Sequence, residues 1–329
     1  MIKIKVTVIG SGSWGTALSL LLNKNGHKVT LWSFSKDQAD ELNFNRENIF
    51  LKKIKIHKDI FITHDCDLAV NNSDFIVISV PSNFIRETLE RFKFKKNQIL
   101  INSTKGIEDK TFFRMTQIIE EYSNDCEIGV LHGPTHAEEV ALELPTACVI
   151  AFKNFSIAKS VQNLFSNNFF RVYTSKDIVG IELGGALKNI IALASGISDG
   201  LGFGDNAKAA IISRGIAEIS RLGEKLGALK ETFYGLGGIG DLIVTCISKH
   251  SRNGRAGILL GKGLSLKETL DEVKMVVEGV NSTKAVKNLS DKLRVEMPIV
   301  NSVNDLLYKN KSAHDCVTSL FSRDLKNEF

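Results

Sequence analysis

The pattern of apolar and polar positions changes character part-way along the chain. In the first part, short continuous apolar runs alternate with segments of helical spacing. Val6 to Ile9 is one such run, of the kind a strand shows when a parallel sheet buries both of its faces. Ala17, Leu18, Leu21 and Leu22 follow at helical spacing until Gly26 ends the helix, and Val29 to Trp32 reads as the second strand. Phe75 to Val80 and the segment "QILINSTKGIED" repeat the strand signal. Pro81-Ser82 reads as a helix start with Ser82 as its cap, and Thr135 followed by Glu138 as a capping box. From about residue 181 the alternation stops and helical patterns alone remain. The segment "ELGGALKNIIALASGISDGLGFGDNAK", residues 182 to 208, reads as a single tightly packing helix. These patterns predict an α/β domain over residues 1–180, with a doubly wound, mainly parallel sheet, and an all-α domain over 181–329. A length of 329 residues also suits two cores better than one.

The first strand runs directly into Gly10-Ser11-Gly12-Ser13-Trp14-Gly15, a G-x-G-x-x-G turn, and then into a helix. Free N–H groups at a helix N-terminus bind a pyrophosphate if no side chain blocks the backbone. Gly10 supplies the tight turn, Gly12 the close approach and Gly15 the packing of helix on strand, which makes the domain a Rossmann-type dinucleotide binder. A glycine turn that binds nothing is the alternative. An acidic residue at the end of the second strand would favour NAD, by accepting the ribose hydroxyl's hydrogen bond. Here Trp32-Ser33-Phe34-Ser35-Lys36 holds no carboxylate before Asp37, which leans toward acceptance of NADPH.

Lys105 follows a strand end, where ligands of doubly wound sheets sit, although a surface-loop lysine fits that position equally. His132 and His136 are four residues apart, but Gly133-Pro134 between them argues against a shared helix face and so against a metal pair. Lys188 is the odd residue of the apolar helix. By the i, i+3, i+4, i+7 rule it projects over Gly184, Gly185, Ala192 and Ser195, a strip nearly bare of side chains where something else can come close. A snorkelling lysine is the bland reading. Asp241, before an apolar helical run, reads as an N-cap. Ser251, Arg252, Asn253 and Arg255 stand among glycines in "KHSRNGRAG", either as a phosphate-binding loop or as a solvated one.

Composition narrows the classes. With 43% hydrophobic and 24% charged residues the chain is average for globular proteins, and the net charge of +5 is weak evidence for a nucleic-acid partner. The basic strip "RFKFKKNQ" reads as a half-buried edge with its lysines in solvent in preference to a base-stacking surface. Five scattered cysteines without a C-x-x-C pair indicate neither zinc nor disulfides and suit a reducing compartment. No stretch approaches the ~18 uncharged apolar residues of a membrane helix, and the N-terminal apolar run is too short for a signal peptide. The expectation is a cytoplasmic protein without membrane insertion, a nucleic-acid partner or a metal.

Taken together, "GSGSWGTAL", "VPSNF", "STKGIE", "HGPTHAEEV", the block from Glu182 to Lys208, "GLGGIGDLIVTC", "SRNGRAG" and "VVEGV" closely resemble the bacterial-type NAD(P)-dependent glycerol-3-phosphate dehydrogenases. The resemblance implies an enzyme that interconverts dihydroxyacetone phosphate and sn-glycerol 3-phosphate with NAD(H) or NADP(H), without a metal, as a homodimer, for phospholipid synthesis. It implies Lys188 as the proton donor and acceptor, aided by Lys105 and Asp241, with Asn189 and Thr245 as neighbours. Lys105, Gly133, Thr135, Lys188, Asp241, Ser251, Arg252 and Asn253 fall at the family's positions for the small phosphate substrate. Ser13, Trp14, Phe34, Lys105, Ala137, Arg252, Val276 and Glu278 fall at those for the dinucleotide, beside Gly10, Gly12 and Gly15. His132 and Phe34 depart from the family pattern, where the former is commonly serine and the latter has a polar handle.

Overall fold

The structure is a computed structural model that describes residues 3–328 apart from 72, 124 and 326. The chain divides into two compact units, one of residues 1–105 and 113–182, the other of 106–112 and 183–329.

The first unit is built on β1 (Lys5–Ile9), α1 (Ser13–Lys24), β2 (Lys28–Trp32), α2 (Lys36–Asn45), β3 (Glu47–Asn48), β4 (Leu51–Lys55), β5 (Phe61–Thr63), α3 (Cys66–Val70), β6 (Phe75–Ile78), α4 (Ile85–Leu89), β7 (Ile99–Asn102), α5 (Met115–Tyr122), β8 (Glu127–His132), α6 (Ala137–Ala141), β9 (Thr146–Phe152), α7 (Phe155–Phe165) and β10 (Phe170–Ser175). Eight strands form one sheet in the order β10-β9-β8-β7-β6-β1-β2-β5, parallel throughout except where β9 meets β8. The pleat explains the continuous apolar runs. Val6, Val8 and Val77 pack into a core on one face, while Ile9, Ile76 and Ile78 pack into a second core on the other. The strand order reverses beside β1, so the crevice for a ligand lies outside the carboxyl ends of β1 and β6.

α8 (Ile178–Gly200) crosses from the first unit into the second, which continues with α9 (Gly204–Lys225), α10 (Asp241–Ile247), α11 (Arg252–Gly261), α12 (Leu266–Val273), α13 (Glu278–Leu293), α14 (Pro298–Tyr308) and α15 (Ala313–Phe321). The single helix expected over 182–208 is therefore two, because Gly202 and Gly204 take positive φ of 76° and 77° and turn the chain. By length and hydropathy α8 passes as a membrane-crossing segment, which the sequence expectation overlooked. As 89% of its most apolar window is buried, it is a core helix. Its small residues admit neighbouring backbone. A Cβ on Gly184 would overlap the Gly237 carbonyl, and one on Gly196 or Gly200 would overlap α11 at Gly254 or Ile258. The glycines of α11 return the fit, Gly257 against the Leu193 carbonyl and Gly261 against that of Ile197. Two helices with small residues four apart thus meet backbone to backbone, and this sets the N-terminus of α11 beside α8.

Candidate active site

The glycine turn is built as the motif requires. Gly10 has φ 110°, its N–H donates to the Trp32 carbonyl at 3.0 Å, and a Cβ there would overlap the Ser79 carbonyl. A Cβ on Gly15 would overlap the Gly10 carbonyl, so α1 lies directly on the turn. Gly12, the N-cap of α1, differs: among the described residues, its own chain neighbours aside, no atom lies within 4 Å of where its Cβ would stand. That open space in front of a helix N-terminus is the cradle a pyrophosphate needs, and the residues present fit a dinucleotide. Ser13 and Trp14, half-buried, open the helix. Ala137 is buried at the start of α6, which packs on α1.

Sequence reasoning missed the residue that braces this turn. Asn48, buried on the β3–β4 hairpin, donates to the Ser11 carbonyl at 2.8 Å and to Thr16 Oγ1 at 2.7 Å, while its Oδ1 accepts from the Phe50 N–H at 2.9 Å. Its amide thereby ties the hairpin to both the turn and α1. No motif marks an asparagine 37 residues from its partner.

At the carboxyl ends of β7 and β8 the structure brings Lys105, Gly133 and Thr135 together. Lys105 Nζ donates to the Gly133 carbonyl at 3.4 Å, and Thr135 Oγ1 donates to the same oxygen at 3.2 Å. The expected capping box is not formed. The N-cap of α6 is His136, and the Thr135 hydroxyl is turned back to Gly133, whose φ of 154° bends the chain there. Ser82 likewise is no cap. It is the first residue of a 3₁₀ turn capped by Pro81, and α4 begins after Phe84. His132 and His136 fall on different elements, the first buried at the end of β8 with its ring nitrogens near the carbonyls of Ile181 and Thr104. Beneath Lys105, Asn102 clamps the turn by accepting from the Thr104 N–H at 2.9 Å and donating to Glu182 at 3.1 Å. Burial pushes the Glu182 carboxyl above the ordinary carboxylate range, against the Arg114 guanidinium paired with it.

In the second unit the question raised by Lys188 has a definite answer. The lysine does not snorkel: its side chain is 8% exposed, and Nζ is paired with the fully buried Asp241 and donates to Thr245 Oγ1 at 2.6 Å. Thr245 in turn donates to the Asp241 carbonyl at 2.7 Å, so its hydroxyl is oriented to accept from the amine. Asp241 is not an N-cap but the first residue of α10, whose N-cap is Gly240 after a π-helical turn, Leu236–Gly240. The bare strip below Lys188 is where Gly237 of that turn settles on Gly184. The strip therefore delivers Asp241 to the lysine.

The "SRNGRAG" segment is not a loop but the start of α11. Ser251 caps it, accepting from the Gly254 N–H at 3.0 Å, so its first-turn N–H groups stand beside Arg252. Arg252 Nη1 donates to the Val276 carbonyl at 3.2 Å, and Glu278 opens α13 two residues on. Asn253 is buried and bridges three helices, donating to Asn189 Oδ1 at 3.0 Å and accepting from the Gly279 N–H at 2.8 Å. The candidate residues thus form one set in each unit. Gly10, Gly12, Ser13, Trp14, Gly15, Phe34, Lys105, Gly133, Thr135 and Ala137 lie in the first, and Lys188, Asn189, Asp241, Thr245, Ser251, Arg252, Asn253, Val276 and Glu278 in the second. A cavity of about 1100 Å³ elsewhere in the first unit is lined by Lys3, Lys5 and Lys28 at the amino ends of β1 and β2, and carries no candidate residue. Phe92 of the basic strip is buried against Trp32 and Phe94, so its ring is unavailable for stacking on bases.

Residues 5–158 match the model of the NAD-dependent glycerol-3-phosphate dehydrogenase N-terminus, and residues 177–318 that of the C-terminus. The chain belongs to this dehydrogenase family. A glycerol-3-phosphate dehydrogenase [NAD(P)+] of Fusobacterium nucleatum is 52% identical over 330 residues, covering 99% of this chain and 98% of that protein. The crystal structure of a glycerol-3-phosphate dehydrogenase from Coxiella burnetii superposes with a TM-score of 0.94 at 35% identity, covering 98% and 99% of the two chains. The yeast enzyme of Saccharomyces cerevisiae gives 0.85 at 27% identity, covering 98% and 100%. This glycerol-3-phosphate dehydrogenase chain is accordingly an NAD(P)-dependent oxidoreductase with a mainly parallel, Rossmann-like sheet followed by a helical region, and its substrate is a small phosphate ester. Membership of the family implies a nicotinamide coenzyme.

Proposed function

We propose that Lys188 gives a proton to the carbonyl oxygen of dihydroxyacetone phosphate as sn-glycerol 3-phosphate forms, and takes it back in the oxidising direction. The observation that carries this reading is the buried Lys188–Asp241–Thr245 cluster. Burying an amine and a carboxylate together is expensive in solvation and often no better for stability than an apolar pair. A protein that keeps such a pair, with a hydroxyl fixing the amine's direction, has an amine positioned for proton transfer.

A bound nicotinamide supplies the hydride. The chain's own residues do the rest. The N–H groups at the start of α1 hold the pyrophosphate, with Asn48 bracing the turn through the Ser11 carbonyl. Negative charge that develops on the substrate oxygen is stabilised by the Lys188 ammonium. The capped N-terminus of α11 and the Arg252 guanidinium take the phosphate, so the carbonyl end is fixed. The product is the backbone of phospholipids, and supplying it is the role we propose for the reaction.

The test is loss of the reduced-nicotinamide absorbance on adding dihydroxyacetone phosphate, against a short 2-keto acid as control. Turnover of the keto acid alone would overturn the reading. Arg252→Met is expected to raise KM for dihydroxyacetone phosphate about tenfold or more with kcat little changed, as a lost ground-state phosphate contact does. An unmoved KM would take the phosphate away from α11.

A further inference from the structure

We propose that Arg91 recognises the 2′-phosphate of NADPH and so sets the coenzyme preference of this chain, an inference that rests on the coenzyme site assigned above to the glycine turn. In Rossmann-type domains the adenosine ribose lies at the end of the second strand, where an acidic side chain selects NAD and a nearby arginine accommodates NADP. The sequence after β2 holds neither, since Ser33-Phe34-Ser35-Lys36 contains no arginine and no carboxylate. The fold supplies the arginine from elsewhere. Arg91, just beyond α4 and 57 residues away in sequence, places Nη1 2.9 Å from the Phe34 carbonyl.

Three features show a guanidinium set to receive an anion. Its Cζ lies 4.8 Å from the centre of the Phe34 ring and 5.0 Å from that of Trp32, two rings at 84° to each other, so cation–π contacts on two sides hold the guanidinium in place. It is exposed, and among the described residues no carboxylate lies within ion-pair distance of it. One of its five N–H donors is engaged by Phe34, and a guanidinium fork can still hold phosphate oxygens by two parallel bonds. The other polar groups here are already committed. Ser35 Oγ caps α2 by accepting from the Gln38 N–H at 3.2 Å, and Ser33 Oγ donates to Gln38 Oε1 at 2.7 Å while accepting from Ser11. Lys36 begins α2 and adds positive charge without a fork. Phe34 holds Arg91 through both its ring and its carbonyl.

The experiment is calorimetric titration of the full chain with NADPH and with NADH. The wild type is expected to bind NADPH more tightly. Arg91→Met, which keeps an apolar stem over the rings, is expected to weaken NADPH about 10- to 100-fold, the worth of a charge-assisted phosphate contact, and to change NADH less than about threefold. Arg91→Lys is expected to fall between. Equal losses for both coenzymes would reduce Arg91 to a packing residue and overturn the proposal, as would an unchanged NADPH affinity. Should the variants fail to fold, the wild type alone still decides, by competition of 2′,5′-ADP against 5′-ADP. Tighter binding of the 2′,5′ compound supports the assignment, and equal binding overturns it. A wild-type chain that binds neither coenzyme would instead overturn the coenzyme site itself.

Discussion

Replacing Lys188 by methionine removes half of a buried ion pair, and the consequences for folding and for catalysis can be separated. Asp241 is fully buried and Lys188 nearly so, so Lys188→Met leaves a carboxylate in the interior facing an apolar side chain. Breaking a buried pair in this way costs about 3–5 kcal/mol, a large share of the 5–15 kcal/mol typical of a whole domain. Asp241→Asn strands the ammonium and is expected to lose a similar amount. The double variant Lys188→Met with Asp241→Asn removes both charges, keeps the volume and lets the amide meet Thr245, so most of that stability should return, to within about 1 kcal/mol of the wild type. Catalysis should not return with it. Loss of a positioned proton donor lowers kcat by about 10²–10⁴, or 3–5 kcal/mol of barrier. The assay pairs urea denaturation of the three variants with steady-state oxidation of NADPH, and calorimetric coenzyme binding confirms an intact first unit. If the double variant regained turnover along with stability, Lys188 would be a structural residue and the proposed mechanism would fail.

Gly12 and Gly10 should respond in opposite ways to alanine. Gly12 has φ −71° and open space before it, so Gly12→Ala should melt like the wild type yet lose coenzyme affinity tenfold or more, by order of magnitude, because the methyl group fills the cradle. Normal affinity would remove the pyrophosphate from this turn. Gly10→Ala must combine φ 110° with overlap on Ser79, so its melting temperature should drop. Glu218 carries a pH signature of its own. Buried in α9 and accepting from the N–H groups of Ile299 and Val300 at the start of α14, its carboxyl is pushed up to about 7 by burial, against an ordinary 4.5. A raised folded-state pKa means the folded chain holds the extra proton between those values. Stability should therefore fall as pH rises from about 4.5 through about 7, by ~3 kcal/mol in total. Glu218→Gln keeps an acceptor for Ile299 and should flatten that slope in denaturation curves at pH 5 and pH 8; an unaltered slope would assign the linkage to another group.

Much of the architecture was legible in the sequence because its signals are local. The apolar runs of β1, β2 and β6 are strands covered on both faces, and the positive φ of Gly10 and the space before Gly12 follow from residue type within a few positions. Three expectations failed because a local pattern had competing partners. Thr135-x-x-Glu138 has the letters of a capping box, but the turn at Gly133 places its carbonyl nearer to the Thr135 hydroxyl. Asp241 has the letters of an N-cap, but the approach of Gly237 to Gly184 carries its carboxylate to Lys188 instead. The "SRNGRAG" glycines look like loop residues, yet they are there so that α11 can lie against the backbone of α8.

By itself the sequence determined the strand, glycine turn and helix that open the chain, the change from alternating to purely helical structure, and the anomaly of a lysine in an apolar helix. Those depend on φ, ψ and periodicity, which neighbouring residues dictate. Only the tertiary structure decided that Lys188 meets Asp241 and Thr245, that Asn48 braces the glycine turn, and that Arg91 comes to rest on Phe34. These pairs are 37 to 57 residues apart, and no local preference encodes them. They arise where the buried surfaces of distant elements fit, as at Gly184 and Gly237, where the absence of side chains sets how closely two backbones approach.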